Sequence, residues 1–367
     1  MKILIIHASF GAGHKRAAQA IMEAFQKKGM ECEVRDLLEF LPRRMAKFYS
    51  FAYEFMITKS RGLWRLTYSL VNAPRSPYSP AKAVSQRWQF AKLKRFLKED
   101  NFTHVISTHF TPSALLTDWK SSGEIKSKNF SVITDHEAHR CWKRTGLDHY
   151  FVASETVARQ IKDYGISPDR ITVTGIPISN AFSSVPSRES ARTAWNLSLQ
   201  ERVVLVLCSA LTMKRSSRML HEFAEIEQTV QYLVSTGHDS VKEENLKKEF
   251  SKDKRFTIFG FSPRIAEMMK AADIVVTKPG GLIVSEALAM GLPQILLEPI
   301  PGQEEANAQF AENQGAAICI RHKRGIFIKT LSNLISDEKK LEKMRAAAQN
   351  AGRPRAAQDV VNTILRS

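Results

Sequence analysis

The sequence predicts an α/β protein with two doubly wound parallel sheets, and three observations carry that expectation. Short apolar, β-branched runs alternate with helix-period segments along the chain, the pattern of a parallel sheet covered by helices on both faces. The alternation breaks once, at the loop-like Ser183-Ser184-Val185-Pro186-Ser187, and then resumes. A chain of 367 residues holds two domains of ordinary size, each able to bury its own core. The boundary is expected near residues 183 to 200, giving units 1–185 and 186–367.

The first series opens on a strand from Ile3 to His7, then the turn Ser9-Phe10-Gly11-Ala12-Gly13-His14. A helix follows, with Ala17, Ala18, Ile21 and Phe25 on one face. Further strands are expected at Cys32 to Leu37, His104 to Ser107, Ser131 to Thr134, His149 to Val152 and Ile171 to Thr174. The second series runs Val203 to Cys208, Thr229 to Ser235, Phe256 to Phe259, Ile274 to Thr277 and Gln294 to Leu297. No stretch approaches the ~20 apolar residues of a membrane span, and Met1 leads directly into a strand, so a cytoplasmic protein is expected. Cys32, Cys141, Cys208 and Cys319 lie far apart with no paired spacing and read as thiols in a reducing compartment.

The densest chemistry lies between residues 273 and 307. A buried strand ends at Thr277, Gly280-Gly281 turns the backbone, and Leu282 to Met290 has helical spacing. That order aims unpaired N–H groups and a positive helix end at one spot, which suits a diphosphate. Glu286 lies about one turn into the helix, where a carboxylate accepts hydrogen bonds from neighbouring ribose hydroxyls without repelling the phosphates. Gln303, Glu304 and Asn307 follow the turn at Pro301-Gly302 and supply amide and carboxyl groups for a hydroxyl-rich ligand. An ordinary βα unit with a solvated Glu286 is the alternative, and the polar cluster argues against it. Together the residues describe a sugar-nucleotide pocket.

His14 sits in a turn at the carboxyl edge of the first sheet, where open α/β folds bind ligands; a structural histidine is the alternative. His136 and His139 have neither the spacing nor the cysteine pair of a zinc site, so no metal is expected.

The formal net charge of +17 calls for an anionic partner. Between Pro42 and Lys98, thirteen Lys or Arg face a single acid, Glu54, and eleven aromatic residues are interspersed. Basic side chains attract anionic headgroups while aromatic rings settle at the lipid interface, so Phe48, Phe51, Phe55, Arg61, Trp64 and Arg65 are read as a membrane surface. A solvated basic face or a single-stranded nucleic acid surface would use similar residues. Nucleic acid is not the expected partner.

Three segments now carry a resemblance. Phe259 to Asn307 resembles the donor half of the monogalactosyldiacylglycerol synthase and processive diacylglycerol glucosyltransferase family, a relative of the GlcNAc transferase of peptidoglycan synthesis. Gly11-Ala12-Gly13-His14 with Arg16-Ala17-Ala18 resembles that family's acceptor-side motif. The segment from Thr134-Asp135-His136 to Trp142, running on to Gly175-Ile176-Pro177-Ile178, resembles its acceptor domain.

The resemblance implies two Rossmann-like domains facing a central cleft, the GT-B arrangement, with a final helix around Gln358 to Leu365 crossing back to the first domain. It implies an inverting hexosyltransferase that moves glucose or galactose from a UDP-sugar to diacylglycerol, peripheral on the cytoplasmic face of the membrane and without a cofactor. In that reading His14 is the base, and Gly11, Gly13, Asp135, His139 and Trp142 lie on the acceptor side. Backbone near Phe261 holds uracil, Glu286 the ribose, Gly280, Gly281, Leu282 and Lys278 the diphosphate, and Gln303, Glu304 and Asn307 the sugar.

Two features depart from the family pattern. Where a glycine-rich loop should follow the first strand of the donor half, this chain has Cys208-Ser209-Ala210-Leu211-Thr212-Met213-Lys214, with Leu211 and Met213 where backbone should approach the diphosphate. Ser209, Thr212 and Lys214 are the replacement contacts. Ile283 stands where the family favours Thr. These departures keep open a lipid- or nucleotide-binding paralogue without transferase activity, and a transferase acting on a polyprenyl-linked acceptor is a third reading.

Overall fold

The computed structural model describes residues 1–9, 11–58, 62, 89–143, 146–321 and 326–367. Arg61, Trp64 and Arg65 lie outside them. The chain folds into two six-stranded sheets with every pair parallel. The first holds β1 (Ile3–His7), β2 (Cys32–Asp36), β3 (His104–Ser107), β4 (Lys128–Val132), β5 (His149–Val152) and β6 (Ile171–Val173), in the order β2-β1-β3-β4-β5-β6. The second holds β7 (Arg202–Leu207), β8 (Val230–Ser235), β9 (Phe256–Phe259), β10 (Ile274–Thr277), β11 (Gln294–Leu297) and β12 (Ala317–Ile320), in the order β12-β11-β10-β7-β8-β9.

Each order reverses once, between β1 and β3 and between β7 and β10. In open α/β sheets the crevice beyond the carboxyl ends of the strands at such a reversal is where ligands bind. The helices that shape these crevices are α1 (Ala12–Gln26) after β1, α2 (Arg43–Thr58), α3 (Met213–Ala224) after β7, α4 (Gly281–Ala289) after β10, and α5 (Gln303–Asn313) after β11; α6 (Glu338–Ala351) and α7 (Ala356–Ile364) follow.

Two elements differ from the sequence expectation. β4 begins at Lys128, not Ser131, because the polar Lys128 and Asn129 pair in register with His104 and Val105; Thr134 and Asp135 therefore lie beyond the strand, in the crevice loop. β12 was not anticipated, being a four-residue run just after Gly315-Ala316.

One continuous apolar cluster joins the halves, with Leu4, Ile6, Trp119, Tyr150 and Val152 of the first and Val203, Leu205, Met269 and Leu282 of the second among its members. The chain passes between the halves twice, at 174–201 and at 352–355. After the second passage α7 packs on the first sheet, with Val360, Val361 and Ile364 against Ile3, Ile5, Ile21 and Phe25. The passages touch where Gly175, at φ +87°, leaves room for Arg353; a Cβ there would lie 2.5 Å from Arg353 Cβ. Among the described residues no helix is long and apolar enough to cross a membrane.

Candidate active site

His14 lies in the first turn of α1, whose N-cap Gly11 has φ +90°. Its Nδ1–H donates to the Thr108 carbonyl at 2.8 Å, with the Thr134 hydroxyl oxygen also 2.8 Å away. A carbonyl can only accept, so this contact fixes the proton on Nδ1 and leaves Nε2 with its lone pair. Thr108 Oγ1 donates back to the His14 carbonyl at 3.0 Å, which locks the first turn of α1 to the end of β3. Burial lowers the His14 pKa to about 4, against the opposing effect of the Thr108 hydrogen bond, so the ring is a free base at neutral pH.

Thr134 also touches the other half, because its carbonyl lies against Gly281. A Cβ on Gly281 would sit 2.3 Å from that oxygen and 3.0 Å from Asp135 Oδ1. Neither Gly280 nor Gly281 has a positive φ, so the sharp turn expected of this pair is not what requires glycine. Gly281 is needed because the opposite half comes within contact distance, whereas a Cβ on Gly280, the N-cap of α4, would meet only Ile283 Cγ2 at 3.8 Å.

The same seam gathers the polar cluster. Gln303 Nε2 donates to Asp135 Oδ2 and Asn307 Nδ2 to Asp135 Oδ1, both at 3.1 Å, while the His136 N–H donates to Asn307 Oδ1 at 2.8 Å. Asp135, expected on the acceptor side, is thus bonded to two residues expected on the sugar. Burial pushes its carboxyl up to about 7, the Asn307 amide opposing and Glu137 and Glu304 adding to the rise. His136 stacks on Phe310 with centroids 3.8 Å apart, its Nε2 3.2 Å from Ser285 Oγ, and burial lowers its pKa to about 3. Glu286, on α4, is 1% exposed, and its Oε1 accepts from Arg16 Nη2 of α1 at 2.5 Å.

Other anticipated residues lie around this seam or away from it. Leu282 turns into the shared core. Lys278 is buried and donates to the Glu298 carbonyl, with Glu304 Oε2 at 3.4 Å; Glu304 also accepts from the Ile300 N–H at 2.7 Å. Ser209 and Thr212 are exposed on the β7–α3 turn, and no described hydrogen bond joins them to the seam. Leu211 faces the second core and Met213 packs beside it. Phe261 is exposed and stacked on His238 with centroids 4.3 Å apart. Gly13 has open space beside it. His139 and Trp142 are buried together against Phe110, inside the first half. Phe48, Phe51 and Phe55 are exposed at helical spacing on α2, with Phe51 and Phe55 stacked 6.2 Å apart and Arg43, Arg44 and Lys47 exposed on the same helix. Among the described residues no group of three or more His, Cys, Asp or Glu could hold a metal ion.

Sequence reasoning missed a role for Arg16 and Thr108. Arg16 carried a signal, standing two residues after His14 in a motif already singled out; Thr108 carried none.

Two family models divide the chain. That of monogalactosyldiacylglycerol synthase matches residues 14–178, and that of the glycosyltransferase family 28 C-terminal domain matches 204–360. A processive diacylglycerol beta-glucosyltransferase of Bacillus cytotoxicus is 30% identical, covering 99% of this chain and 93% of the relative; that of Bacillus cereus is 29% identical over the same shares. Among solved structures, Acinetobacter baumannii MurG superposes with a TM-score of 0.66 at 15% identity, covering 100% of this chain and 99% of the other. Staphylococcus aureus MnaA with UDP gives 0.67 at 13%, covering 99% and 95%. These two likenesses concern the fold, two Rossmann-like domains in the GT-B arrangement. The seam between two reversal points, the two matched models and the full-length identity lead to one conclusion: the chain belongs to the monogalactosyldiacylglycerol synthase and processive diacylglycerol glucosyltransferase family of glycosyltransferases.

Proposed function

We propose that this enzyme transfers glucose or galactose from a UDP-sugar to the free hydroxyl of diacylglycerol, with inversion at the anomeric carbon. The observation that carries the reading is the seam, where a free-base imidazole from one half lies beside a helix N-terminus and a buried carboxylate from the other. The relatives' diacylglycerol acceptor and the UDP held by the S. aureus neighbour support it.

The diacylglycerol oxygen attacks the anomeric carbon, its proton passes to His14 Nε2, and the bond to the UDP β-phosphate breaks with its electron pair leaving on UDP. The first-turn N–H groups of α4, unpaired within the helix, stabilise the charge that develops on the leaving phosphate. Glu286 holds the ribose, while Gln303, Asn307 and the Asp135 they bond to hold the sugar hydroxyls. Lys278 and Glu304 brace this wall, backbone near Phe261 takes the uracil, and Ser209 and Thr212 flank the diphosphate. No cofactor is assigned a step. The exposed aromatic and basic side chains of α2 rest on an anionic membrane surface on the cytoplasmic side.

The test is incubation with diacylglycerol in anionic vesicles and UDP-glucose or UDP-galactose, reading lipid products by mass spectrometry. A hexosyl-diacylglycerol is expected, with His14→Ala lowering turnover by a factor on the order of 10²–10⁴ and leaving UDP binding intact. Absence of product from a chain that binds UDP would sink the acceptor assignment, and unchanged turnover in the variant would remove His14 as base.

A further inference from the structure

Arg16 takes no part in the chemistry above, yet it makes an ion pair that joins the two halves. Its side chain is 41% exposed, while the carboxylate it reaches is 1% exposed. A lone carboxylate buried this deeply is costly, and a charged partner with good hydrogen-bond geometry offsets that cost. A guanidinium still largely in water gives up little of its own hydration to provide it. Burial drives the Glu286 carboxyl up to about 7, and the charge and hydrogen bond of Arg16 oppose that rise.

Arg16 takes only one oxygen. Oε2 of Glu286 is buried with no hydrogen-bond partner, and an unmet buried acceptor of this kind calls for a hydroxyl or amide donor. Arg16 also shares α1 with His14, two residues away, so the two leave the helix on different sides while moving as one body. Placing Arg16 on Glu286 therefore also sets His14 Nδ1 at Thr134, whose carbonyl abuts Gly281.

We propose that Arg16 is a positioning residue for the nucleotide. It holds Glu286 turned so that Oε2 accepts a ribose hydroxyl, and does so only while the cleft is closed, so that donor binding and closure reinforce each other. The inference rests on the donor reading given above and adds to it a residue of the opposite half.

The test is calorimetry of UDP binding to the full chain and to Arg16→Met, Arg16→Lys, Glu286→Gln and the double variant Arg16→Met with Glu286→Gln. Arg16→Met, which keeps the apolar stem, is expected to raise the Kd about tenfold, and Arg16→Lys to recover most of the loss. With Glu286→Gln in place, Arg16→Met should change the Kd less than about twofold, because the charge it serves has gone. An equal loss in both backgrounds would mean that Arg16 acts independently of Glu286 and would overturn the proposal. So would an unchanged or tighter Kd in Arg16→Met while Glu286→Gln weakens binding, a result that leaves the donor reading standing. Failure of the unaltered chain to bind UDP would remove the donor reading and this proposal with it.

Discussion

Two strand-to-helix turns at the reversal point of the second sheet answer the same demand differently. After β10, Gly280-Gly281 opens α4; after β7, Ser209-Ala210-Leu211-Thr212 opens α3 without a glycine. At the first, the other half of the molecule approaches so closely that no side chain fits at Gly281. At the second, Leu211 turns into the core and leaves small polar side chains on the outer surface. A glycine in such a turn is thus no sign of a special φ; at Gly281 what matters is which side of the backbone the neighbour stands on.

The comparison breaks most visibly at Gly281. In Gly281→Ala the new methyl meets backbone, not a movable side chain, so the halves must part; transfer should fall by at least about a hundredfold, or ~3 kcal/mol of barrier. Gly280→Ala, with only an ordinary contact to Ile283, should cost less than about threefold, and equal losses in the two variants would show that the seam does not set the requirement.

At the other turn, restoring a glycine should harm rather than help. Leu211→Gly removes a buried side chain and is expected to cost about 2–4 kcal/mol of stability in denaturant melts, with no gain in UDP affinity. Tighter UDP binding would mean that Leu211 does obstruct the diphosphate.

The smallest effect sharpens the contrast through pH. The β7–α3 turn has no group that titrates near neutrality, burial pushing the Cys208 thiol up to about 11. The seam has two, Glu286 and Asp135, each pushed up to about 7 by burial. Burial lowers His14 to about 4, so the base stays neutral as pH falls and kcat should hold nearly flat from pH 8 to about 5. Glu286, proposed for the ribose, and Asp135, proposed for the sugar, gain protons over the same range and lose their charge, so the donor KM should rise a fewfold below about pH 7. A kcat that falls with an apparent pKa near 6.5 would contradict the buried environment of His14.

Much of this architecture was legible because parallel strands buried on both faces write themselves as apolar runs, as at Ile3 to His7 and Ile274 to Thr277. β12 escaped because Ala317-Ile318-Cys319-Ile320 is too short a run to separate from the turn before it. β4 was shifted because its first residues are polar and owe their place to pairing with β3. Within the site, His14, Glu286, Gln303 and Asn307 were marked by local motifs. Their pairings were not, since Asp135 and Asn307 lie 172 residues apart, and Arg16 and Glu286 lie 270 apart. Distance along the chain hides what closure brings together.

The two passages of chain between the halves, lying side by side at Gly175 and Arg353, have a mechanical consequence. One tether would let a half swivel in any direction, as on a cord. Two adjacent tethers act like paired leaves on a door frame: they leave a swing about one line and resist twisting across it. Any opening of a cleft so mounted would bring Arg16 back to Glu286 and Thr134 back to Gly281 along a single arc, with no search for register.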